Sequence, residues 1–131
     1  MFSRILVPTD GSKYSKKAED VAISIASKFD GKLLVVHIID EHLIYPFEDL
    51  EAEGNQILEE AAKKAQAQDV DVEQVLLVGT PTHDMAKIVE KTRADLLVIG
   101  THGKTGLTKI LMGSVAESTL KSVKIPVLLV R

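Results

Sequence analysis

The 131-residue chain contains no cysteine. Disulfides, thiol catalysis and thiolate metal sites are thereby excluded, and a reducing compartment is compatible with the composition. Basic excess is missing too: 16 Lys and Arg stand against 19 Asp and Glu, for a formal net charge of −3. No positive field exists to hold a nucleic-acid backbone, so nucleic acid is not an expected partner. Nowhere do 18 apolar residues follow one another, so no membrane span is expected. The opening MFSRILVPTDGS has an apolar run of only three residues before Pro8, too short for a signal-peptide core. These observations together lead to the expectation of a cytoplasmic protein.

What is present is an ordinary globular balance, 45% apolar and 27% charged residues, in a chain long enough to bury a core without staples. One domain, residues 1–131, is expected. Two periodicities alternate along it. Short, largely continuous apolar runs occur at Ile5–Val7, Leu33–Ile39, Val75–Val78, Leu96–Ile99 and Val127–Val130, the form of strands buried on both faces.

Helical patterns lie between these runs. Tyr14, Ala18, Val21, Ala22, Ile25, Ala26 and Phe29 keep three-four spacing, with Ser12 placed to cap the start and Gly31 to end the helix. Leu50, Ile57, Leu58, Ala61, Ala62 and Ala65 mark a second helix. Thr80-Pro81 supplies a cap and a first-turn proline for a third, which buries Met85, Ile88 and Val89. Ser114 to Glu117 has the form of a capping box and opens a fourth helix through Val123. The irregular stretch Asp40–Asp49 carries two of the five aromatics, Tyr45 and Phe47, and reads as a connector that packs them on the core.

The β-α-β-α-β-α-β-α-β order demands parallel pairing and right-handed crossovers, hence a sheet with helices on both faces. Ligands of such sheets bind beyond the carboxyl ends of the strands. Three of those ends carry suggestive residues: Pro8-Thr9-Asp10-Gly11-Ser12, His37-Ile38-Ile39-Asp40 and Gly100-Thr101-His102-Gly103. They converge only if the first and fourth strands are neighbours. Glycines at 100, 103 and 106, followed by Gly113-Ser114 before a helix, suit a loop whose main-chain amides take an anion, and a phosphate chain is the natural occupant. A Walker A loop is excluded because its first glycine would have to be Val98, and a dinucleotide GxGxxG is excluded because PTDGSK holds one glycine.

The spacing Gly100-x2-Gly103-x9-Gly113-Ser114 resembles the ATP-binding branch of the universal stress proteins. RILVPTDGS, VVHIIDE, DLLVIGTHG and IPVLLV are similar to segments of that family in the same order. The resemblance implies a Rossmann-like three-layer sandwich with a five-stranded parallel sheet of order 3-2-1-4-5. It implies further that Pro8, Thr9 and Asp10 border adenine and ribose, and that Ile38 walls the base. Gly100 and Gly103 would line the ribose and phosphate path. Gly113, Ser114 and Val115 would bind the phosphates through their N–H groups. Asp10 is a ribose acceptor or a turn-former. ATP is the implied ligand, with any magnesium carried by its phosphates, since His37, His42 and His83 show no metal-ligand spacing.

For catalysis on ATP, His102 and Lys104 are the only nearby candidates. A slow ATP-hydrolysing or adenylating enzyme is therefore the alternative to a nucleotide-dependent regulator. Family members commonly dimerise through the last strand, and an apolar sheet edge at Ile125–Val130 would favour a homodimer here.

Overall fold

The computed structural model describes residues 1–102 and 113–131. The elements in chain order are β1 (Arg4–Pro8), α1 (Lys13–Phe29), β2 (Lys32–Asp40), α2 (Phe47–Gln66), β3 (Val72–Gly79), α3 (Pro81–Thr92), β4 (Leu96–Gly100), α4 (Ser114–Ser122) and β5 (Val127–Val130). All strand pairs are parallel, and the sheet order is β3-β2-β1-β4-β5. The expected three-layer α/β architecture and strand order are therefore observed.

Each strand buries alternate residues on opposite faces. Ile5, Val7, Leu33, Val35, Leu96 and Val98 pack with Ala18, Ala22 and Ile23 of α1 and Leu58, Ala61 and Ala65 of α2. Leu6, Leu34, Val36, Leu97 and Ile99 pack with Met85, Ile88 and Val89 of α3 on the other side, joined by Val115 and Val123 from the α4 region. Burial on both faces is the reason the strands read as unbroken apolar runs.

The N-terminal end of the sheet is fastened by one carboxylate. Asp95 Oδ2 accepts from the Ser3 amide (2.9 Å) and hydroxyl (3.0 Å), and Oδ1 accepts from the Arg4 amide (3.0 Å). Partial burial works to raise the Asp95 pKa, but these hydrogen bonds outweigh it and hold the carboxyl below its ordinary value.

Four local expectations are corrected. Ser12 caps α1 through its side chain, which accepts from the Ser15 amide, but Asp30, at φ 53°, makes the left-handed turn that ends the helix before Gly31 is reached. Thr80 is the N-cap residue of α3, yet its hydroxyl donates to Glu41 Oε1 (2.9 Å), and Asp84 Oδ2 takes the Thr80 amide (2.8 Å). The capping box at Ser114 does not form. Gly113 is the N-cap, so Ser114 sits one position too late, and Glu117 pairs with Lys121 at 3.3 Å. Finally, the aromatics of the 40–49 stretch are not on the core: Tyr45 is 69% and Phe47 51% exposed, and residues 47–49 already belong to α2.

Candidate functional site

β1 and β4 are the strands where the chain direction across the sheet reverses. They pair at only two positions, Ile5 with Leu96 and Leu6 with Leu97, whereas β1 stays in register with β2 through Pro8. Past Leu6 and Leu97 the sheet splits at its carboxyl end, as expected at a topological switch point. A cavity of about 360 Å³ occupies the split, within the roughly 300–1,000 Å³ usual for small-molecule sites.

Its floor is the open end of the α3/α4-side core: Val36, Ile38, Met85, Ile99 and Val115. Pro8, Thr9 and Asp10 form the wall after β1, and Gly100, Thr101 and His102 the wall after β4. Gly113, Ser114, Val115 and Ala116 close the far end. The Gly113 amide donates to the Thr101 carbonyl at 2.6 Å, which seats the start of α4 beside the end of β4. Of the site residues expected from the sequence, Pro8, Thr9, Asp10, Ile38, Gly100, Gly113, Ser114 and Val115 are thus brought together. Gly103 and Lys104 lie outside the described residues.

The two walls are built differently. In the turn after β1, Asp10 Oδ1 accepts from the Ser12 amide (3.0 Å) and the Ser15 hydroxyl (2.9 Å). Asp10 therefore is a turn-former, as one reading of Asp-Gly held. Gly11 follows at φ +80°, where a side chain would be strained, and a Cβ there would stand 3.0 Å from Ile57. Thr9 is buried, and its hydroxyl donates to the Glu19 carboxylate on the α1/α2 side of the sheet. Its main chain lines the cavity while its side chain serves the opposite face. The Thr9 carbonyl accepts from His37 Nδ1 at 2.8 Å, which places a proton on that nitrogen.

At the end of β4 the backbone passes close under α1: a Cβ on Gly100 would meet the Tyr14 carbonyl oxygen at 3.0 Å. Glycine is needed there for packing as much as for any ligand. His102 packs its ring against Tyr14, centroids 5.1 Å apart and planes tilted by 47°, with Nδ1 3.0 Å from Thr101 Oγ1.

Four helices begin at this end of the sheet, and α2, which starts behind Pro46 without a side-chain cap, contributes none of the described cavity residues. α1 is capped by Ser12, and the amide that opens α3 is taken by Asp84. α4 has no side-chain cap, and its first residues line the cavity. First-turn amides have no partner within a helix and carry its positive end. Among the described residues no lysine or arginine lines the cavity, so this helix start is the positive element on its wall. Among the described residues there is also no group of three metal-ligating side chains, and no helix is long and apolar enough to cross a membrane.

Sequence reasoning passed over Ser15, Pro81 and Met85, which reach the cavity from α1 and α3. Met85 had been assigned to the core by its spacing, and it is core. No local signal marks which core residues also floor a cavity.

A family model described as the universal stress protein family matches residues 1–131. The chain belongs to this family. It is 37% identical to Universal stress protein MJ0531 of Methanocaldococcus jannaschii, across all of this chain and 83% of that protein. Universal stress protein YxiE of Bacillus subtilis is 30% identical, with each chain covered in full. Among solved structures, a universal stress protein in complex with cAMP superposes with a TM-score of 0.80 at 30% identity, covering 99% of this chain and 97% of that one. UspA from Lactobacillus plantarum shares the fold with a TM-score of 0.87 at 20% identity. The cAMP complex makes that family member a binder of an adenine nucleotide.

Proposed function

We propose that this universal stress protein is an ATP-binding, nucleotide-dependent regulator, one domain acting in the cytoplasm as a homodimer. The single observation carrying the reading is the division of the cavity. It has an apolar floor that fits a base at one end and, at the other, a helix start that no side chain among the described residues caps. Adenine rests on Ile38 and Met85, the ribose passes Asp10 and Gly100, and the phosphates reach the amides of Gly113, Ser114 and Val115. Main-chain donors suit a polyphosphate because they cost no side-chain entropy and face an anion with the helix dipole. The cAMP complex of a relative 30% identical supports the adenine end of the assignment. Magnesium, where it enters, comes with the phosphates.

The homodimer reading rests on β5. It is the outer strand beside β4, and Leu128 is 38% exposed on it. An apolar edge with open backbone groups is covered by pairing with a second copy.

Calorimetric titration with ATP, AMP and cAMP tests the nucleotide reading. ATP is expected to bind most tightly because it alone extends to the start of α4. Equal affinity for all three would show that no β- or γ-phosphate is held there, and absence of binding by all three would overturn the reading. Sustained phosphate release that disappears in His102→Ala would replace the regulator with an ATP-cleaving enzyme. A sedimentation mass of one chain at micromolar concentration would remove the dimer.

A further inference from the structure

On the side of the sheet away from the cavity, α1 buries a carboxylate. Glu19 is 2% exposed and lies among the apolar residues that α1 turns toward the sheet. An ionised group there is costly unless every lone pair facing the interior is met. Lys64 of α2 meets Oε1 at 2.8 Å. The Thr9 hydroxyl meets Oε2. Burial alone would lower the Lys64 pKa, but its hydrogen bonds to Glu19 and Asp20 outweigh this and raise it, so the ammonium stays charged.

The proton count makes this arrangement directional. Thr9 has one hydroxyl proton, and the carboxylate takes it. The Thr9 oxygen is then left as an acceptor, and the Gly11 amide stands 3.3 Å from it. Ser15, whose oxygen is 3.0 Å from that of Thr9, is left to give its own proton to Asp10 Oδ1 at 2.9 Å. The direction of the Thr9 hydroxyl therefore follows from a carboxylate on the far side of the sheet, while the Ser15 hydroxyl has Asp10 Oδ1 at 2.9 Å and the Ser12 carbonyl at 3.1 Å as acceptors. Replacing that charge weakens the tether on the Thr9 hydroxyl, and with it the rotamer that holds Oγ1 3.3 Å from the Gly11 amide.

We infer that Glu19, clamped by Lys64, is a positioning residue for the ligand site: through Thr9 it sets the Asp10–Gly11 turn that walls the cavity on the opposite face. Nothing in this role requires Glu19 to touch the ligand. The inference rests on the nucleotide reading for its effect on affinity, and on the hydrogen-bond chain alone for its effect on the turn.

The test uses Glu19→Gln and Thr9→Val, with Thr9→Ser as the conservative variant. ATP affinity, melting temperature and amide exchange at Gly11 are measured on each full-length protein. Glu19→Gln is expected to weaken ATP binding roughly tenfold and to speed Gly11 exchange by a similar factor, the loss associated with about one hydrogen bond to a charged group. Thr9→Val reproduces both effects, and Thr9→Ser restores them to within about twofold of the original protein. In an Asp10→Ala background Glu19→Gln changes ATP affinity less than twofold, because the two act through one turn. A merely structural role predicts a lowered melting temperature with ATP affinity and Gly11 exchange unchanged, and that result overturns the inference. Equal losses with and without Asp10→Ala overturn it as well. Should Glu19→Gln fail to fold, Thr9→Val against Thr9→Ser decides the same question. Should the unaltered protein take up no ATP, the nucleotide reading falls, and Gly11 exchange in Glu19→Gln by itself decides whether Glu19 positions the turn.

Discussion

Of the helices that begin at the rim of the cavity, α1 and α4 begin differently. α1 starts behind a saturated turn: Ser12 accepts the Ser15 amide, Asp10 accepts the Ser12 amide, and Ser15 donates to Asp10. α4 starts at Gly113, which has no side chain to offer, and no other side chain among the described residues takes its place. Both starts have the same dipole and the same orphan amides. The chain satisfies one from its own polar groups and, among the described residues, gives the other no side-chain partner. α2 also starts without a side-chain cap, at Pro46, but away from the cavity, so it is the place of the α4 start on the cavity wall that suits a ligand, whereas the saturated turn before α1 serves architecture.

Substitutions at the two starts break or sharpen this contrast. The largest effect is expected for Gly113→Val, whose branched side chain would cover the first-turn amides of α4. ATP affinity should fall about 100-fold, ~2.7 kcal/mol, with the circular dichroism spectrum unchanged; native affinity in this variant would place the phosphates elsewhere. Ser12→Ala at the other start should do the reverse, costing about 1 kcal/mol of stability in urea unfolding while ATP binds as before. A large loss of affinity there would mean that both starts serve the ligand.

A carboxylate remote from the cavity separates stability from binding in another way. Asp95→Ala removes the fastening at the opposite end of the sheet, with no effect on ATP affinity. Its cost at pH 7 should be up to about 1 kcal/mol, kept low by solvent screening. The Asp95 pKa is depressed in the folded state, so its contribution is complete above the ordinary carboxylate value and fades as pH falls through the folded one. The stability gap between variant and parent should therefore be constant from pH 7 to about 5 and close below about 4; a gap that persists in stronger acid would refute the assignment. Ser114→Ala should show the smallest effect. Its hydroxyl caps no helix among the described residues, so stability is expected to be unchanged, and a two- to threefold loss of ATP affinity would report a single hydroxyl donor to phosphate.

Much of the molecule was readable from local pattern because local physics decides it. Apolar runs such as Leu33–Ile39 and three-four spacing such as Ala18, Ala22 and Ala26 report burial directly, and alternating strands and helices leave few topologies. The exact opening of α4 was misread because Ser-x-x-Glu is satisfied equally by N-cap and first-turn placement, and the Gly113–Thr101 bond, from beyond the local window, chose between them. Glu19 did leave a trace: a charged residue four positions after Ser15 and three before Ala22 stands on the face that α1 buries. That irregularity signals a buried charge without naming its partners.

The order of elements and the parallel sheet followed from the sequence, because each depends on spacing along the chain, and the gathering of Pro8, Asp10, Gly100 and Gly113 in one loop cluster was implied by the resemblance to the universal stress proteins. Tertiary structure alone decided which way Thr9 faces, that Lys64 reaches Glu19 across 45 positions, and that α1 is closed while α4 has no side-chain cap. Those outcomes depend on distances between groups far apart in sequence, and a hydrogen bond is made or lost within a few tenths of an ångström that no periodicity encodes.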